Sequence, residues 1–144
     1  MNIRRIKNLI FLHLQRLPLK STNIRPRFVK LGGVNVVCCK NTFIGEDVCF
    51  DTNFPENIEI QEGVYVTRGC VILAHYFNAK KRKFDVGKVV IKKNAFIGCN
   101  TVICKAVVIG ENAVIGAGSI VNKDIPDNEI WAGNPVRFIR KIED

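Results

Sequence analysis

The sequence has 144 residues and a mass of 16.2 kDa, enough for one domain and too little for a second sizeable one. A hydrophobic content of 47% with only 8% aromatics predicts a core of aliphatic side chains and disfavours a surface on which nucleic-acid bases stack. No apolar run approaches the roughly 20 residues that cross a bilayer. The formal net charge of +9 implies an anionic partner, for which nucleic acid, a membrane and a phosphorylated cofactor are the candidates.

The cysteines and histidines indicate the compartment and limit the metal chemistry. The six cysteines show no C-x-x-C spacing, and no segment resembles a cleavable secretory signal. We therefore expect reduced thiols in a cytoplasmic protein. A zinc ion held by several histidines, as in γ-type carbonic anhydrases, is excluded by ligand count, because the only histidines are His13 and His75. No metal is expected.

Residues 1–30 are predicted to form an amphipathic helical segment. Apolar and basic residues are interleaved up to Pro18, where we expect the helix to end. Such a segment would cap the open end of a solenoid or pack against a neighbouring subunit. The alternative is a peripheral position at the inner face of the membrane.

Residues 31–134 are predicted to form a solenoid, because an aliphatic residue recurs every six positions from residue 91 to residue 121. Neither an amphipathic helix nor a simple alternating strand explains a six-residue period. The period predicts a coil of three short strands, one hexad per side, with Gly and Asn at the corners where φ is positive. Positions separated by three hexads should then stack. The expected pairs are Ile91 on Ile109, Ile97 on Ile115 and Ile103 on Val121, with Ile60, Val66 and Ile72 in the preceding coil.

The repeat is interrupted after Ile72 by a polar excursion, and residues 75–88 are predicted to be an active-site loop. His75 lies at the base of this loop. A neutral imidazole can accept a proton near pH 7, so His75 is the candidate general base, whereas a structural role suits His13.

A partner that orients the His75 ring could come from three residues, namely Asp51, Asn53 and Asp85. Asp51 ranks first because it lies one coil before His75, next to a slip in the repeat.

Several motifs resemble those of the hexapeptide-repeat acetyltransferases, particularly the maltose, galactoside and xenobiotic acetyltransferase branch. They are residues 72–75 (ILAH), 94–98 (NAFIG), 109–119 (IGENAVIGAGS), 121–126 (VNKDIP) and 133–135 (GNP), together with the insertion after His75. The resemblance implies an all-β fold, a left-handed parallel β-helix. It further implies direct transfer of an acetyl group from acetyl-coenzyme A to a hydroxyl of a saccharide-type acceptor, with His75 as the base and no nucleic-acid partner. A homotrimer with active sites between subunits is also implied.

The resemblance assigns two groups of cofactor-binding residues. Cys99 and Ala117 would contact the pantetheine arm through backbone groups. Residues near the phosphates or adenine would be Asn122, Lys123, Arg137 and Arg140. Residues 135–144 are predicted to form a short C-terminal helix that opens at Pro135.

Two alternatives stay open. An amino-sugar nitrogen could replace the hydroxyl as acceptor with the same base. The chain could also be a non-catalytic β-helix, structural or binding, whose basic surface meets an anionic partner.

Overall fold

The computed structural model of the chain describes residues 2–17 and 24–143. Two helices come first, α1 (Ile3–Leu14) and α2 (Ile24–Leu31), and a 3-10 turn spans Pro55–Asn57. The strands up to the hairpin are β1 (Asn35–Val36), β2 (Phe43–Ile44), β3 (Cys49–Phe50), β4 (Ile58–Ile60), β5 (Tyr65–Val66), β6 (Val71–Ile72), β7 (His75–Asn78) and β8 (Lys83–Val86). The later strands are β9 (Val89–Ile91), β10 (Phe96–Ile97), β11 (Val102–Ile103), β12 (Val108–Ile109), β13 (Val114–Ile115), β14 (Ile120–Val121), β15 (Glu129–Ala132) and β16 (Arg137–Lys141).

Successive strands are distributed in turn over three sheets, which form the three sides of a prism. The first side contains β1, β4, β9 and β12, the second β2, β5, β10, β13, β15 and β16, and the third β3, β6, β11 and β14. Strands within a side are parallel, apart from the final antiparallel pair of β15 and β16. The chain therefore climbs as a parallel β-helix, with one strand on each side per coil.

The predicted stacking register is confirmed. Ile91 pairs with Ile109, Ile97 with Ile115 and Ile103 with Val121. In the preceding coil Ile60 pairs with Ile91, Val66 with Ile97 and Ile72 with Ile103. All of these side chains are completely buried. Each coil thus covers the apolar edge of the one before it, which is how short strands obtain a continuous core.

The corners use the residue types that the sequence predicted. Asn94, Asn100, Asn112 and Asn128 all have positive φ, between 55° and 58°. Three of them also form an amide ladder, in which Asn94 donates to Asn112 at 3.1 Å and Asn112 donates to Asn128 at 2.8 Å. The left-handed backbone is accessible to Asn at low cost, so these turns also gain side-chain hydrogen bonds between coils.

The excursion after β6, predicted as a loop over residues 75–88, is a β-hairpin. β7 and β8 pair antiparallel, and His75 lies opposite Val86. A regular coil consists of three hexads, as between Phe96 and its partner Val114. The coil that leads from Val71 to its partner Val102 contains the hairpin in addition. The hairpin therefore lengthens one coil without disturbing the register on either side.

The N-terminal segment contains two helices and contacts the first coils. Asn8, Leu12 and Gln15 are the buried side chains of α1 and its C-terminal cap, and Gln15 Nε2 donates to the carbonyl of Val48 at 2.6 Å. α1 ends at Leu14, and Pro18, the predicted end, lies outside the described residues. The second helix, α2, was not predicted. No helix among the described residues has the length and apolarity needed to cross a membrane.

The predicted C-terminal helix is wrong, because residues 137–141 form strand β16. β16 runs antiparallel to β15, with Glu129 opposite Lys141 and Ala132 opposite Arg137. Val136 is completely buried, and the Phe138 ring lies 5.9 Å from that of Trp131. Packing over the last coil therefore decides the conformation of this segment, and Pro135 does not begin a helix.

Candidate active site

Strand pairing brings Asp51 and His75 together. β3 and β6 are neighbours on the third side, with Phe50 opposite Ile72, and the Asp51 N–H donates to the Ile72 carbonyl at 2.9 Å. Asp51 follows β3 directly, and His75 follows β6 after Leu73 and Ala74, so both leave the prism at the same corner. His75 Nδ1 and Asp51 Oδ2 are 2.5 Å apart.

The Asp51 carboxylate is completely buried and is surrounded by hydrogen-bond donors. Oδ1 accepts from the N–H groups of Asn53 at 2.9 Å and Phe54 at 3.2 Å. Oδ2 accepts from those of Ala74 at 2.9 Å and His75 at 3.2 Å, and from the His75 ring. Burial acts to raise the pKa of Asp51, but the hydrogen bond from His75 and those from the backbone outweigh it. The pKa of Asp51 is therefore lowered, and the group is a carboxylate at neutral pH.

The Asp51 contact determines which nitrogen of the neutral His75 ring carries the proton. A carboxylate only accepts hydrogen bonds, so Nδ1 donates and the lone pair is on Nε2. Nε2 has no hydrogen-bond partner among the described residues, and the imidazole side chain is 24% exposed. The ring that carries this free nitrogen lines an open space.

That space is a cavity of about 610 Å³ between the hairpin and the third side of the prism. It is lined by Leu73, His75, Tyr76, Phe77, Asn78, Ala79, Lys80, Phe84, Cys104, Lys105 and Asn122. The rings of Phe54 and Phe84 lie 5.9 Å and 5.6 Å from the His75 ring. Two aromatic rings therefore pack near the imidazole, while Lys105, 5.6 Å from the Tyr76 ring centre, gives the cavity a positive edge.

The other two candidate partners of His75 are engaged elsewhere. Asp85 accepts from Asn78 Nδ2 at 2.6 Å and pairs with Lys81 at 3.1 Å, and these contacts lower its pKa. Asn53 has an exposed side chain, and its backbone N–H contacts Asp51. Of the three candidates, Asp51 is the residue that hydrogen-bonds the ring.

The predicted cofactor residues fall at two corners and on the last strand. Cys99 and Ala117 occupy the corner that precedes the third side, where both are exposed and the Cys99 carbonyl accepts from Gly118 N–H at 2.7 Å. Neither the Cys99 nor the Ala117 N–H donates to another described backbone carbonyl. These N–H groups are thus available to carbonyl groups of an extended ligand, such as the amides of pantetheine.

The remaining four cofactor candidates are exposed. Asn122 follows β14 and lines the His75 cavity, and Lys123 is next to it. Arg137 and Arg140 lie on β16 and do not line that cavity. In this chain the structure therefore brings one of the six predicted cofactor residues into contact with the cavity of the candidate base.

Sequence reasoning missed the aromatic and basic lining of the cavity. Phe84 lines the cavity and alternates with charged residues on β8, a pattern that could have indicated a hairpin strand. Phe54 lies beside the His75 ring without lining the cavity, and it belongs to the slip after β3. Cys104 and Lys105 follow β11 as Asn122 follows β14, so the six-residue register already placed them at one corner.

The other chemically active side chains form no second centre of this kind within residues 2–17 and 24–143. His13 Nδ1 contacts the Leu9 carbonyl at 2.8 Å within α1. All six cysteines are described and are free thiols, and burial raises the pKa of Cys70. Over the same described ranges, no group of three or more His, Cys, Asp or Glu side chains could hold a metal ion.

The parallel β-helix of six-residue repeats is the fold of a class of transferases, and comparisons with known proteins agree with it. The bacterial transferase hexapeptide family, six repeats, matches residues 88–123. The chain is 36% identical over 140 residues to CapG of Staphylococcus aureus, covering 93% of this chain and 78% of CapG. It belongs to the hexapeptide-repeat acetyltransferase family.

Two further relatives extend this comparison. YvoF of Bacillus subtilis (strain 168), whose name proposes that it is an acetyltransferase, is 37% identical over 105 residues, which are 73% of this chain. The chain spans only 60% of the length of YvoF. A galactoside acetyltransferase in complex with coenzyme A is similar in structure, with a TM-score of 0.68, 26% identity and coverage of 98% of this chain and 82% of that protein. The predicted all-β, left-handed β-helix is confirmed.

Proposed function

We propose that the protein transfers an acetyl group from acetyl-coenzyme A to a hydroxyl of a saccharide-type acceptor, with His75 as general base. The single observation that carries the proposal is the hydrogen bond between Asp51 Oδ2 and His75 Nδ1, which leaves Nε2 as the free nitrogen of a ring that lines a cavity. The galactoside acetyltransferase similar to this chain holds coenzyme A, which supports the choice of donor.

Each group of the site has a defined part in the proposed reaction. Acetyl-coenzyme A supplies a thioester carbonyl. His75 Nε2 accepts the proton of the acceptor hydroxyl while that oxygen forms a bond to the carbonyl carbon, and the bond from carbon to sulfur then breaks. The proton held on Nε2 passes to the departing sulfur, giving coenzyme A. Asp51 stabilises the intermediate imidazolium and holds the ring in place, as the carboxylate of a catalytic triad does.

The cofactor residues are proposed from the family resemblance and from their exposure. The free N–H groups of Cys99 and Ala117 suit the pantetheine amides. Asn122, Lys123, Arg137 and Arg140 would contact the phosphates or adenine, for which their polar or charged side chains and their exposure are suited. Arg137 and Arg140 lie away from the His75 cavity of the same chain, which fits a homotrimer in which a site uses residues of two subunits.

The test compares His75→Ala with His13→Ala, a matched loss of the other histidine. Purified proteins are incubated with acetyl-coenzyme A and a panel of saccharides, and coenzyme A is measured by chromatography, because exposed Cys99 would react with thiol reagents. We expect kcat to fall about 10²–10⁴-fold in His75→Ala and to stay unchanged in His13→Ala.

Three results would contradict parts of this proposal. Full activity in a folded His75→Ala variant would exclude this residue as the base. Acetylation of amino sugars alone would change the acceptor atom from oxygen to nitrogen. If calorimetry detects no binding of coenzyme A, the chain is instead a non-catalytic β-helix module with a basic surface.

A further inference from the structure

The positive charge of the protein is concentrated at one end of the chain. Residues 1–40 contain nine of the 22 Lys and Arg residues and none of the 13 Asp and Glu residues. Residues 41–144 contain 13 residues of each sign, and Lys40 also lies after strand β1, so the β-helix that follows the helices has a net formal charge of only +1. The attraction to an anionic partner that the net charge of +9 implies therefore belongs to the N-terminal helical segment.

Helix α1 is apolar on its outer face although its inner face is already packed. The inner face carries Asn8 and Leu12 and is buried against the rest of the protein. At 3.6 residues per turn, Ile3, Ile6 and Ile10 project from the opposite face, where they are 83%, 39% and 52% exposed. A contiguous row of exposed isoleucines on a helix whose other side is already packed is typical of an interaction site.

A shallow apolar groove continues this outward face. It has a volume of about 310 Å³ and is lined by Ile10, His13, Leu14 and Leu17, of which Leu17 is 49% exposed. The face and the groove together extend along the whole described length of α1. They form an apolar strip that is wider than a single exposed side chain.

Basic residues border this strip. The same helical geometry places Lys7 directly beside it on one flank, and Arg5 and Arg16 further round on the other, and all three are exposed. Long basic side chains beside an apolar strip can reach phosphates while the apolar residues enter the acyl region, which is the arrangement of helices that lie in a membrane interface.

We propose that α1 docks the protein on an anionic lipid bilayer, with Ile3, Ile6 and Ile10 inserted between headgroups and the flanking cations on lipid phosphates. A second copy of the chain fits less well. The β-helix of another copy offers no net negative charge, and pairing two N-terminal segments would oppose two strongly basic surfaces. The proposal requires no chemistry at His75, so it stands or falls independently of the acetyl transfer.

The test is sedimentation of the full chain with lipid vesicles. Vesicles of equal parts phosphatidylglycerol and phosphatidylcholine are compared with vesicles of phosphatidylcholine alone. We expect binding to the anionic vesicles that weakens as salt is added, and little binding to the neutral ones. Equal binding to both vesicles would overturn the electrostatic part, and no binding to either would overturn the whole proposal. Tighter binding to duplex DNA than to anionic vesicles at the same salt would assign the basic segment to nucleic acid instead.

Two double variants test the strip itself. Ile6→Ser/Ile10→Ser should weaken binding to anionic vesicles by at least about ten-fold, because two apolar side chains no longer enter the bilayer. Its matched control, Val37→Ser/Ile139→Ser, changes two exposed apolar residues outside α1 and should bind as the unmodified protein does. If Ile6→Ser/Ile10→Ser instead lowers the oligomer mass in light scattering and leaves vesicle binding unchanged, the strip is a contact between copies and the proposal is wrong.

A charge variant gives a second measurement that does not depend on apolar residues. Arg5→Gln/Lys7→Gln should weaken binding about 25-fold at low salt, since each basic residue near an anionic surface contributes a factor of roughly five. Lys93→Gln/Lys141→Gln removes the same charge from exposed positions of the β-helix and should have little effect. Equal losses in the two variants would show that only total charge matters, which would overturn the assignment to α1.

Discussion

Asp51→Asn is the most informative single change, because the two carboxylate oxygens have different donors. Oδ1 faces the N–H groups of Asn53 and Phe54, and Oδ2 faces those of Ala74 and His75 as well as the His75 ring. An asparagine can place its oxygen on one side only. Its NH₂ group then faces two buried backbone donors in either orientation.

The expected loss of stability follows from the number of backbone N–H groups that the variant leaves without an acceptor. Two backbone N–H groups lose their acceptor, and each unsatisfied buried group costs about 1–3 kcal/mol, so the free energy of unfolding should fall by about 2–6 kcal/mol. The pKa of Asp51 is lowered in the folded protein, so its contribution is present above the unfolded value of about 3.9 and is lost as the pH falls through the folded value. The difference between wild type and variant should therefore shrink as the solution is made more acidic than roughly pH 4.

The effect on activity depends on the orientation of the new amide. If NH₂ replaces Oδ2, it donates to Nδ1, and the neutral ring then carries its proton on Nε2, where it cannot act as a base. We expect kcat to fall about 10²–10⁴-fold at a temperature where the variant is folded.

The assay is steady-state release of coenzyme A over a range of pH, combined with chemical denaturation of the same samples. Asp127→Asn is the matched control, since Asp127 also accepts a backbone N–H, from Glu111 at 2.7 Å, but is exposed and does not line the His75 cavity. The reasoning is refuted if Asp51→Asn unfolds more easily yet keeps the wild-type kcat. Asp51 would then be structural only.

Two further predictions concern the β-helix itself. Ile103→Ala should lower the free energy of unfolding by about 2–5 kcal/mol, because Ile103 is completely buried between Ile72 and Val121; a loss below about 1 kcal/mol in denaturant unfolding would argue against this packing. Gly98→Ala should destabilise more than Gly118→Ala in the same measurement. A Cβ on Gly98 would lie 2.5 Å from a backbone nitrogen, whereas at Gly118 it meets nothing within 4 Å and only the positive φ costs roughly 1–2 kcal/mol; equal effects would contradict the close contact of coils.

The sequence predicted the parts of the fold that repeat. Pairs such as Ile97 with Ile115 follow from a six-residue period, because three hexads return the chain to the same side. The contact of Asp51 with His75 was also accessible, since both follow strands of the third side. These inferences succeed because neighbours in space are a fixed distance apart in sequence.

The parts that the sequence did not predict are those where contacts are set by the ends of the solenoid. Residues 137–141 became a strand because β15 offers an unpaired edge and Val136 fills the last coil, neither of which is visible in a local pattern. α2 was missed because its sequence contains Pro26 and little amphipathic period. It packs on α1 through Phe28, whose ring lies 6.0 Å from that of Phe11, and such a tertiary contact has no local signature.

The fixed spacing between stacked strands also limits how such a chain can change length. Phe96 and Val114 face each other because one whole coil of three hexads separates them. Loss or gain of a single hexad above the hairpin would rotate all later residues by one side of the prism. Asn122 would then leave the corner that it shares with the His75 cavity. The solenoid can therefore lengthen only by whole coils if later residues are to stay on the same side of the prism. An excursion from a corner, such as the hairpin, can have any length.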